Sequence, residues 1–284
     1  IPYPKLVYFN QENGMIGQKH VSATHIGDSV LYVGGENSEL TILKKNETGW
    51  TADSLHSPLK EGSNILDLYF TQADQCLWMT QRGSISRFKN EQWETIALNQ
   101  LPNANSGTIY RFVKDDSRST EVTAFYDQRY FKISDDSIIT VSEPIGSRIY
   151  EIIRHDSTYY FNTDQGFYFL KDSVYAYLGE DHPLLSQRAY SINSFLGKLW
   201  ISIRNQGVHY FNGKTLTPVQ YQGETLKKGA VIKVSASNIW VVARQGTFEL
   251  QAQEDSFELR AYARIPQTVA GQISASQEAI FWGT

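Results

Sequence analysis

The residues of this chain that could do chemistry recur at a regular spacing and do not form one compact motif. One set takes a single polar residue from each of several short apolar stretches, about 40 residues apart. Its members are Asp67, Arg111, Glu151, Ser191, Lys233 and Ser274. If these stretches are the innermost strands of a repeat protein, the side chains line one central channel as a polar ring. Such a ring could pair the buried charges of neighbouring repeats, bind a ligand or ion, or take part in catalysis.

A second set of polar residues lies in short turns and linking loops. The predicted ligand-binding set is Arg82, Arg204, Arg244, Gln81, Gln206, Gln245, His182 and Tyr221. A guanidinium fork matches planar anions, so these arginines would suit a carbohydrate that carries carboxylate or sulfate groups. The alternative is that these turns are polar because hairpin tips are solvated.

The sequence carries no motif of a metal site or of a catalytic nucleophile. The six histidines show no metal-ligand spacing, so we expect no metal and no cofactor. Glycine-rich phosphate loops, nucleophile elbows and His-Glu-x-x-His are absent from the sequence. The single cysteine, Cys76, stands beside Leu77 and Trp78, which predicts a buried and inert thiol. We therefore do not expect an enzyme.

Composition and charge exclude two classes of partner. The chain has 284 residues and a formal net charge of −4, whereas a nucleic-acid surface is normally basic. No apolar run approaches the roughly 18 residues that span a bilayer, so we expect no membrane contact in this segment. An apolar content of 41% is ample for a buried core.

The elements that must position these residues are strands, and they repeat. Each repeat has a short apolar strand, a tight turn, a strand led by an aromatic residue, a polar hairpin and further strands. The leading positions of the second strands are Tyr32, Trp78, Val122, Tyr160, Trp200, Trp240 and Trp282. Steps of about 40 residues are typical of a four-stranded propeller blade. The sequence thus predicts an all-β, seven-bladed β-propeller with four-stranded blades and a single domain over residues 1–284.

The two ends of the sequence predict how the last blade is completed. Lys5–Phe9 has the pattern of an outer strand, and Ile280–Thr284 follows the pattern of a second strand. An N-terminal strand that completes the last blade would protect its edge. The third strand of that blade would then come from Ile1–Pro4 or from sequence beyond Thr284. We favour the second, which implies a domain excised from a longer chain.

The repeat resembles that of a known family of propellers. Trp200–Gly213 reads Trp-Ile-Ser-x-x-x-x-Gly-x-x-x-Phe-x-Gly, and Phe9–Met15 resembles the passage between blades of two-component regulator propellers. The Gly-Thr that usually follows the second strand is present only at Gly283–Thr284. The resemblance implies a periplasmic sensor region of a hybrid histidine kinase or related transcriptional regulator, of the kind found in Bacteroidetes. Such regions often carry two propellers and a β-sandwich, whereas this chain has room for one propeller.

Three functions follow from these patterns. The first is a non-catalytic periplasmic sensor that recognises a glycan and passes the signal to an output module by a shift in domain arrangement. Its expected partners are an oligosaccharide, neighbouring sensor or output domains, and a second copy in a homodimer. The second is an interaction scaffold, with an exposed apolar patch near Trp50 or Trp93. The third is a propeller-type polysaccharide lyase or hydrolase, in which His182 would converge with Asp181 or Glu224.

Overall fold

The protein is described by a computed structural model that covers residues 20–26, 29–55, 63–113, 119–226, 231–234, 239–243, 246–253, 256–262, 273–275 and 280–282. Within these residues the fold is all-β, as predicted, with short 3-10 helices at Glu36–Ser38 and Pro183–Ser186. The chain forms two compact units, residues 1–145 with 269–284 and residues 146–268. That the whole chain is one domain stays a prediction.

The first unit contains three four-stranded antiparallel sheets. In each sheet the strands pair in chain order, so each is a simple meander. The strands of blade 1 are β1 (His20–Ile26), β2 (Val30–Gly35), β3 (Leu40–Asn46) and β4 (Gly49–Leu55). Blade 2 has β5 (Asp67–Thr71), β6 (Cys76–Gln81), β7 (Ser84–Lys89) and β8 (Gln92–Thr95). Blade 3 has β9 (Arg111–Phe112), β10 (Val122–Tyr126), β11 (Arg129–Ser134) and β12 (Ser137–Val141).

The second unit contains three more sheets of the same kind. Blade 4 has β13 (Ile149–His155), β14 (Thr158–Thr163), β15 (Gly166–Lys171) and β16 (Val174–Tyr177). Blade 5 has β17 (Ala189–Phe195), β18 (Lys198–Ile203), β19 (Gly207–Phe211) and β20 (Leu216–Pro218). A hairpin of β21 (Gln220–Tyr221) and β22 (Glu224–Thr225) precedes the last sheet. Blade 6 has β23 (Val231–Val234), β24 (Ile239–Ala243), β25 (Gly246–Gln253) and β26 (Ser256–Tyr262).

The prediction of seven blades is wrong, because the described residues form six four-stranded blades of a β-propeller, three in each unit. The seventh repeat position, Trp282, lies in β28 (Ile280–Trp282), which pairs only with β27 (Ile273–Ala275) among the described residues. Two strands of three residues make a hairpin and not a four-stranded blade. The predicted N-terminal strand, Lys5–Phe9, lies outside the described residues.

The predicted second strands of the six blades are confirmed. Tyr32, Trp78, Val122, Tyr160, Trp200 and Trp240 all lie in the second strand of their blade. These strands are the most buried part of a blade, and every residue of β6 is buried. The outer strand β8 is exposed at three of its four residues. The difference arises because a central strand is covered on both faces, while an outer strand faces solvent.

Tight turns join the strands, and residues that tolerate positive φ occupy them. Asp156 has φ +52° between the first two strands of blade 4, and Asp172 has φ +48° between its last two. Asn90 has φ +51° in the corresponding outer turn of blade 2. Asp and Asn adopt this left-handed conformation at lower cost than most residues, which is why these turns can be so short.

The core lies between neighbouring blades of a unit. In unit 1, one cluster joins blades 2 and 3 around Trp78, Tyr110 and Phe131, which are fully buried. In unit 2, Phe167 and Ile201 belong to a cluster between blades 4 and 5. Burial of large side chains of this kind stabilises by about 1.5–3 kcal/mol each.

The segments that link one blade to the next pack closely against the hairpin between the second and third strands. The Val208 N–H donates to the Leu226 carbonyl at 2.9 Å, and the Leu226 side chain is buried. Gly207 has φ +93°, and a Cβ atom there would lie 2.2 Å from the Leu226 carbonyl oxygen. At Gly166 the corresponding distance to the Leu185 oxygen is 2.4 Å. At Gly166 and Gly207, glycine is therefore required by both conformation and space.

Candidate functional site

Each blade has two distinct ends, which we call the linking end and the turn end. The linking end carries the hairpin between the second and third strands and the segment that enters the first strand. In blade 5 the Arg204 N–H donates to the Arg188 carbonyl at 3.1 Å, and in blade 4 the Asp164 N–H donates to the Arg148 carbonyl at 3.1 Å. These bonds hold the hairpin beside the start of the first strand. The turn end carries the turns between the first two and the last two strands.

An arginine cluster, which we define as Arg148, Arg188, Arg204 and Tyr150, occupies the linking end of blades 4 and 5. The Arg188 guanidinium carbon lies 3.5 Å from the centroid of the Tyr150 ring, and that of Arg148 lies 5.6 Å from it. Tyr150 is half-buried at the start of β13, and the three arginines are exposed. The aromatic ring thus orders two guanidinium groups by cation–π contact.

The arginine cluster carries three exposed positive charges. Within the part of the chain that the structure describes, no carboxylate forms an ion pair with any of the three guanidinium groups. Asp164 accepts a hydrogen bond at 3.0 Å from the backbone N–H of Arg148, and not from its side chain. The arrangement can therefore bind anionic groups such as carboxylate or sulfate through bidentate hydrogen bonds.

Only one of the predicted ligand residues belongs to this cluster. Arg204 is exposed there, and Gln206, in the same hairpin, is half-buried. The His182 ring packs edge-on against Phe211, with 5.0 Å between centroids. The Tyr221 ring packs against Phe248 at 5.0 Å. His182 and Tyr221 are thus committed to packing.

The remaining predicted ligand residues fall elsewhere. Arg82 is exposed at the linking end of blade 2, in unit 1. Gln81 is only 4% exposed, and its Nε2 donates to the Ser38 hydroxyl at 3.3 Å, so it joins blades 2 and 1. Arg244 and Gln245 lie outside the described residues. Within unit 2, Arg204 and Gln206 share one hairpin, and that the eight residues form one binding set stays a prediction.

Sequence reasoning missed Arg148, Tyr150 and Arg188. A signal was available, because Arg148 and Arg188 directly precede the first strands of two consecutive blades. Alignment of the repeats at that position would have shown two equivalent arginines.

The predicted ring residues of unit 1 lie on the first strands of blades 2 and 3. Asp67 is 5% exposed, and its Oδ2 accepts a hydrogen bond from the Phe112 N–H at 2.9 Å. Its Oδ1 accepts another from the Leu68 N–H at 3.0 Å. Arg111 is half-buried at the start of β9, and Ser274 lies in β27. The Asp67 carboxylate thus fastens one first strand to the next.

Unit 2 shows the same arrangement on blades 4 and 5. The Glu151 Oε2 atom accepts a hydrogen bond from the Ile192 N–H at 3.0 Å. Ser191 is buried on β17, and Lys233 lies in β23. The half-buried Glu151 carboxylate thus bonds to the backbone of the next blade, as the buried Asp67 carboxylate does in unit 1. Whether the six positions also serve a ligand stays a prediction.

Other reactive groups in the described residues are packed or dispersed. Burial raises the pKa of the Cys76 thiol to about 12, and the side chain has no exposed surface, as predicted for an inert thiol. No group of three His, Cys, Asp or Glu residues in the described ranges could hold a metal ion. His182 forms no ion pair with Asp181 or Glu224, both described and exposed.

Two further observations bear on the class of protein. The half-buried Trp93 packs against Phe88 of its own blade with 5.0 Å between ring centroids, and Trp50 packs on the core of blade 1. The apolar patch predicted near these residues is thus partly covered by their own blades. Among the described residues, no helix is long and apolar enough to cross a membrane.

Comparison with known proteins shows likeness of fold and not of sequence. No family model and no curated protein matches the chain. The extracellular domain of the hybrid two-component system BT3049 from B. thetaiotaomicron superimposes with a TM-score of 0.67 at 15% identity, over 98% of this chain. The corresponding domain of BT4673 from the same organism gives 0.64 at 16% identity, over 90% of this chain.

A third solved structure is a bacterial surface component of a secretion system. PorZ of the type-IX secretion system of Porphyromonas gingivalis gives a TM-score of 0.65 at 9% identity, over 95% of this chain. The chain spans 40%, 37% and 36% of the BT3049, BT4673 and PorZ chains. At these identities the likeness is one of fold. The chain is a β-propeller whose fold resembles that of the extracellular domains of hybrid two-component systems.

Proposed function

We propose that this propeller is a non-catalytic, periplasmic sensor module of a two-component or related transcriptional regulator, and that it recognises an acidic glycan. The fold likeness to extracellular domains of hybrid two-component systems supports the sensor role. The observation that carries the choice of ligand is the stacking of Arg188 and Arg148 on Tyr150 at the linking end of blades 4 and 5. Carboxylate or sulfate groups on a glycan are the anions that such an arrangement recognises.

The arginine cluster suits recognition because its cations are ordered before the ligand arrives. A guanidinium group held on an aromatic ring loses less side-chain entropy on binding than a free one. Because the three arginines are exposed, salt screens their attraction for an anion. Binding at this site should therefore weaken as ionic strength rises.

A signal would pass from the glycan to neighbouring domains by a shift in population. A ligand moves a conformational equilibrium only as far as it binds one state better than the other. We therefore expect the glycan to touch a neighbouring sensor or output domain, or the second copy in a homodimer, as well as the propeller. The arginine cluster would then supply part of a shared site.

The experiment is calorimetric titration of the propeller with oligogalacturonate and with a heparin-derived oligosaccharide, each against a neutral glucan of equal length. We expect an acidic ligand to bind, and the double variant Arg148→Gln/Arg188→Gln to weaken it about tenfold or more. The matched control is Arg154→Gln, because Arg154 also stacks on a tyrosine, Tyr159, but at the far end of β13. Equal binding of the neutral glucan, or equal losses in the control, would refute the assignment of the cluster.

A further inference from the structure

We propose that a cleft at the turn end of blades 4 and 5 is a second binding site, for a neutral sugar. The cleft has a volume of about 280 Å³ and lies entirely within unit 2. One wall is the turn His155–Thr158 of blade 4, and the other is formed by Gly197 and by Asn212–Gly213 of blade 5. This volume is near the lower limit of about 300 Å³ for small-molecule sites, so it suits roughly one or two sugar rings.

The cleft exists because tight turns keep side chains out of it. Gly197 has φ +66° and Gly213 has φ +89°, so glycine is the residue that these turns favour. Nothing lies within 4 Å of the place that a Cβ atom would take at either position. The floor contains Leu199 and Phe211, which are 1% and 3% exposed and belong to the core. The site is therefore preformed on a rigid base.

Hydrogen-bonding groups of different kinds surround this apolar floor. The Asp156 carboxylate and the Lys171 ammonium group are exposed on the rim, and Tyr160 is half-buried. Burial and then the charge of Asp156 raise the pKa of Tyr160, so its hydroxyl stays protonated and lies near the carboxylate. The His155 ring is fixed by Ser194, with 2.6 Å between Nδ1 and the hydroxyl oxygen.

These groups match a neutral polyol better than an ion. A carboxylate only accepts hydrogen bonds, an ammonium group only donates them, and a phenol does both. Every sugar hydroxyl can donate and accept, so a sugar can satisfy all three groups without bringing a charge. The Asp156 carboxylate would repel an anionic ligand, and the Lys171 ammonium group would repel a cationic one. The arginine cluster at the other end of the same blades carries positive charge, so the two sites differ in ligand.

The test is titration calorimetry of the propeller with the methyl glycosides of glucose, galactose, mannose, xylose and arabinose. Glucuronate and glycine serve as the anionic and zwitterionic comparisons. Asp156→Asn removes the charge but keeps a side chain that tolerates φ +52°. Lys171→Met keeps the apolar stem. The matched controls are Asp172→Asn, at a similar φ of +48° outside the cleft, and Lys214→Met on an exposed turn of blade 5.

We expect at least one neutral glycoside to bind and each cleft variant to weaken it about tenfold or more. The two controls should change its affinity less than about twofold. The Arg148→Gln/Arg188→Gln variant should also leave it unchanged, which separates this site from the acidic-glycan site. The inference is overturned if no glycoside binds up to about 50 mM, if binding survives both cleft variants, or if only glucuronate or glycine binds.

Discussion

Replacing Gly207 by alanine tests whether the linking segment packs so closely on the hairpin of blade 5 that a side chain at this position destabilises the protein. Gly207 and Gly213 lie in the same blade, with φ +93° and φ +89°. A Cβ atom at Gly207 would lie 2.2 Å from the Leu226 oxygen, whereas nothing lies within 4 Å of one at Gly213. Gly207→Ala and Gly213→Ala therefore share the conformational cost and differ in the steric one.

The magnitudes can be worked out for both variants. Positive φ costs a residue with a Cβ atom about 1–2 kcal/mol, and this is the whole effect expected for Gly213→Ala. At Gly207 the Leu226 carbonyl must also move, which breaks its 2.9 Å hydrogen bond from the Val208 N–H at about 1–3 kcal/mol. Displacing the buried Leu226 side chain adds about 1–2 kcal/mol of repacking. The expected total for Gly207→Ala is thus about 3–7 kcal/mol.

The assay is urea unfolding followed by tryptophan fluorescence, with thermal unfolding as a second measurement. Gly207→Ala should lower the free energy of unfolding by about 2–5 kcal/mol more than Gly213→Ala does. In a chain of this size that difference corresponds to a melting temperature about 4–10 °C lower. If Gly213→Ala destabilises the protein as much as Gly207→Ala, the linking segment is not packed as described and the reasoning fails.

Three further predictions use buried polar groups. The Asn162 side chain donates one hydrogen bond to the backbone of Ala189 and accepts another from it. Asn162→Ala should therefore lower the free energy of unfolding, measured in urea, by about 2–4 kcal/mol. A loss below about 1 kcal/mol would contradict the stabilising role of these two bonds. Because burial raises the pKa of Cys76 to about 12, a thiol reagent at pH 8 should label the unfolded but not the folded protein. Between about pH 9 and 12 the Cys76 thiol keeps its proton in the folded state and loses it in the unfolded state. The free energy of unfolding should therefore decrease as the pH rises through this range, and it should decrease less steeply in Cys76→Ala. Burial lowers the pKa of His209, so the unfolded state binds a proton at a higher pH than the folded state does. The free energy of unfolding should therefore decrease as the pH falls below about 6.5. His209→Gln should make that decrease smaller in unfolding curves measured between about pH 7 and 5.

The repeat of the fold could be predicted because packing imposes it on the sequence. Each second strand is covered on both faces, so a large apolar residue recurs there, as at Trp78 and Trp200. The number of blades could not be read in the same way. Trp282 fits the periodic pattern, but a pattern in one strand does not show how many partners that strand acquires. The described partner of β28 is β27 alone.

The arginine cluster could be predicted only in part because recognition depends on neighbours in space. Arg204 could be predicted because it lies at a hairpin tip, and exposed polar residues at hairpin tips are ordinary candidates for ligand binding. Arg148 and Arg188 directly precede strands, and both are ordered by stacking on Tyr150. Tyr150 lies two residues after Arg148 but far from Arg188 in sequence, so the sequence does not show that the two arginines share one ring. The cleft at the turn end had no sequence signal at all. It arises from two glycines that leave space and from side chains of two different blades.

The two classes of polar residue have different physical tasks, and their hydrogen bonds distinguish them. Asp67 and Glu151 give their carboxylates to backbone N–H groups of the next blade, and a ligand that competed for them would leave buried donors unpaired. Such a ligand would have to replace bonds that hold two first strands together. Arg148 and Arg188 are exposed and stacked on a ring, so an anion can bind them without breaking any blade contact. We therefore expect recognition at the ends of the blades, where polar groups are ordered but still exposed.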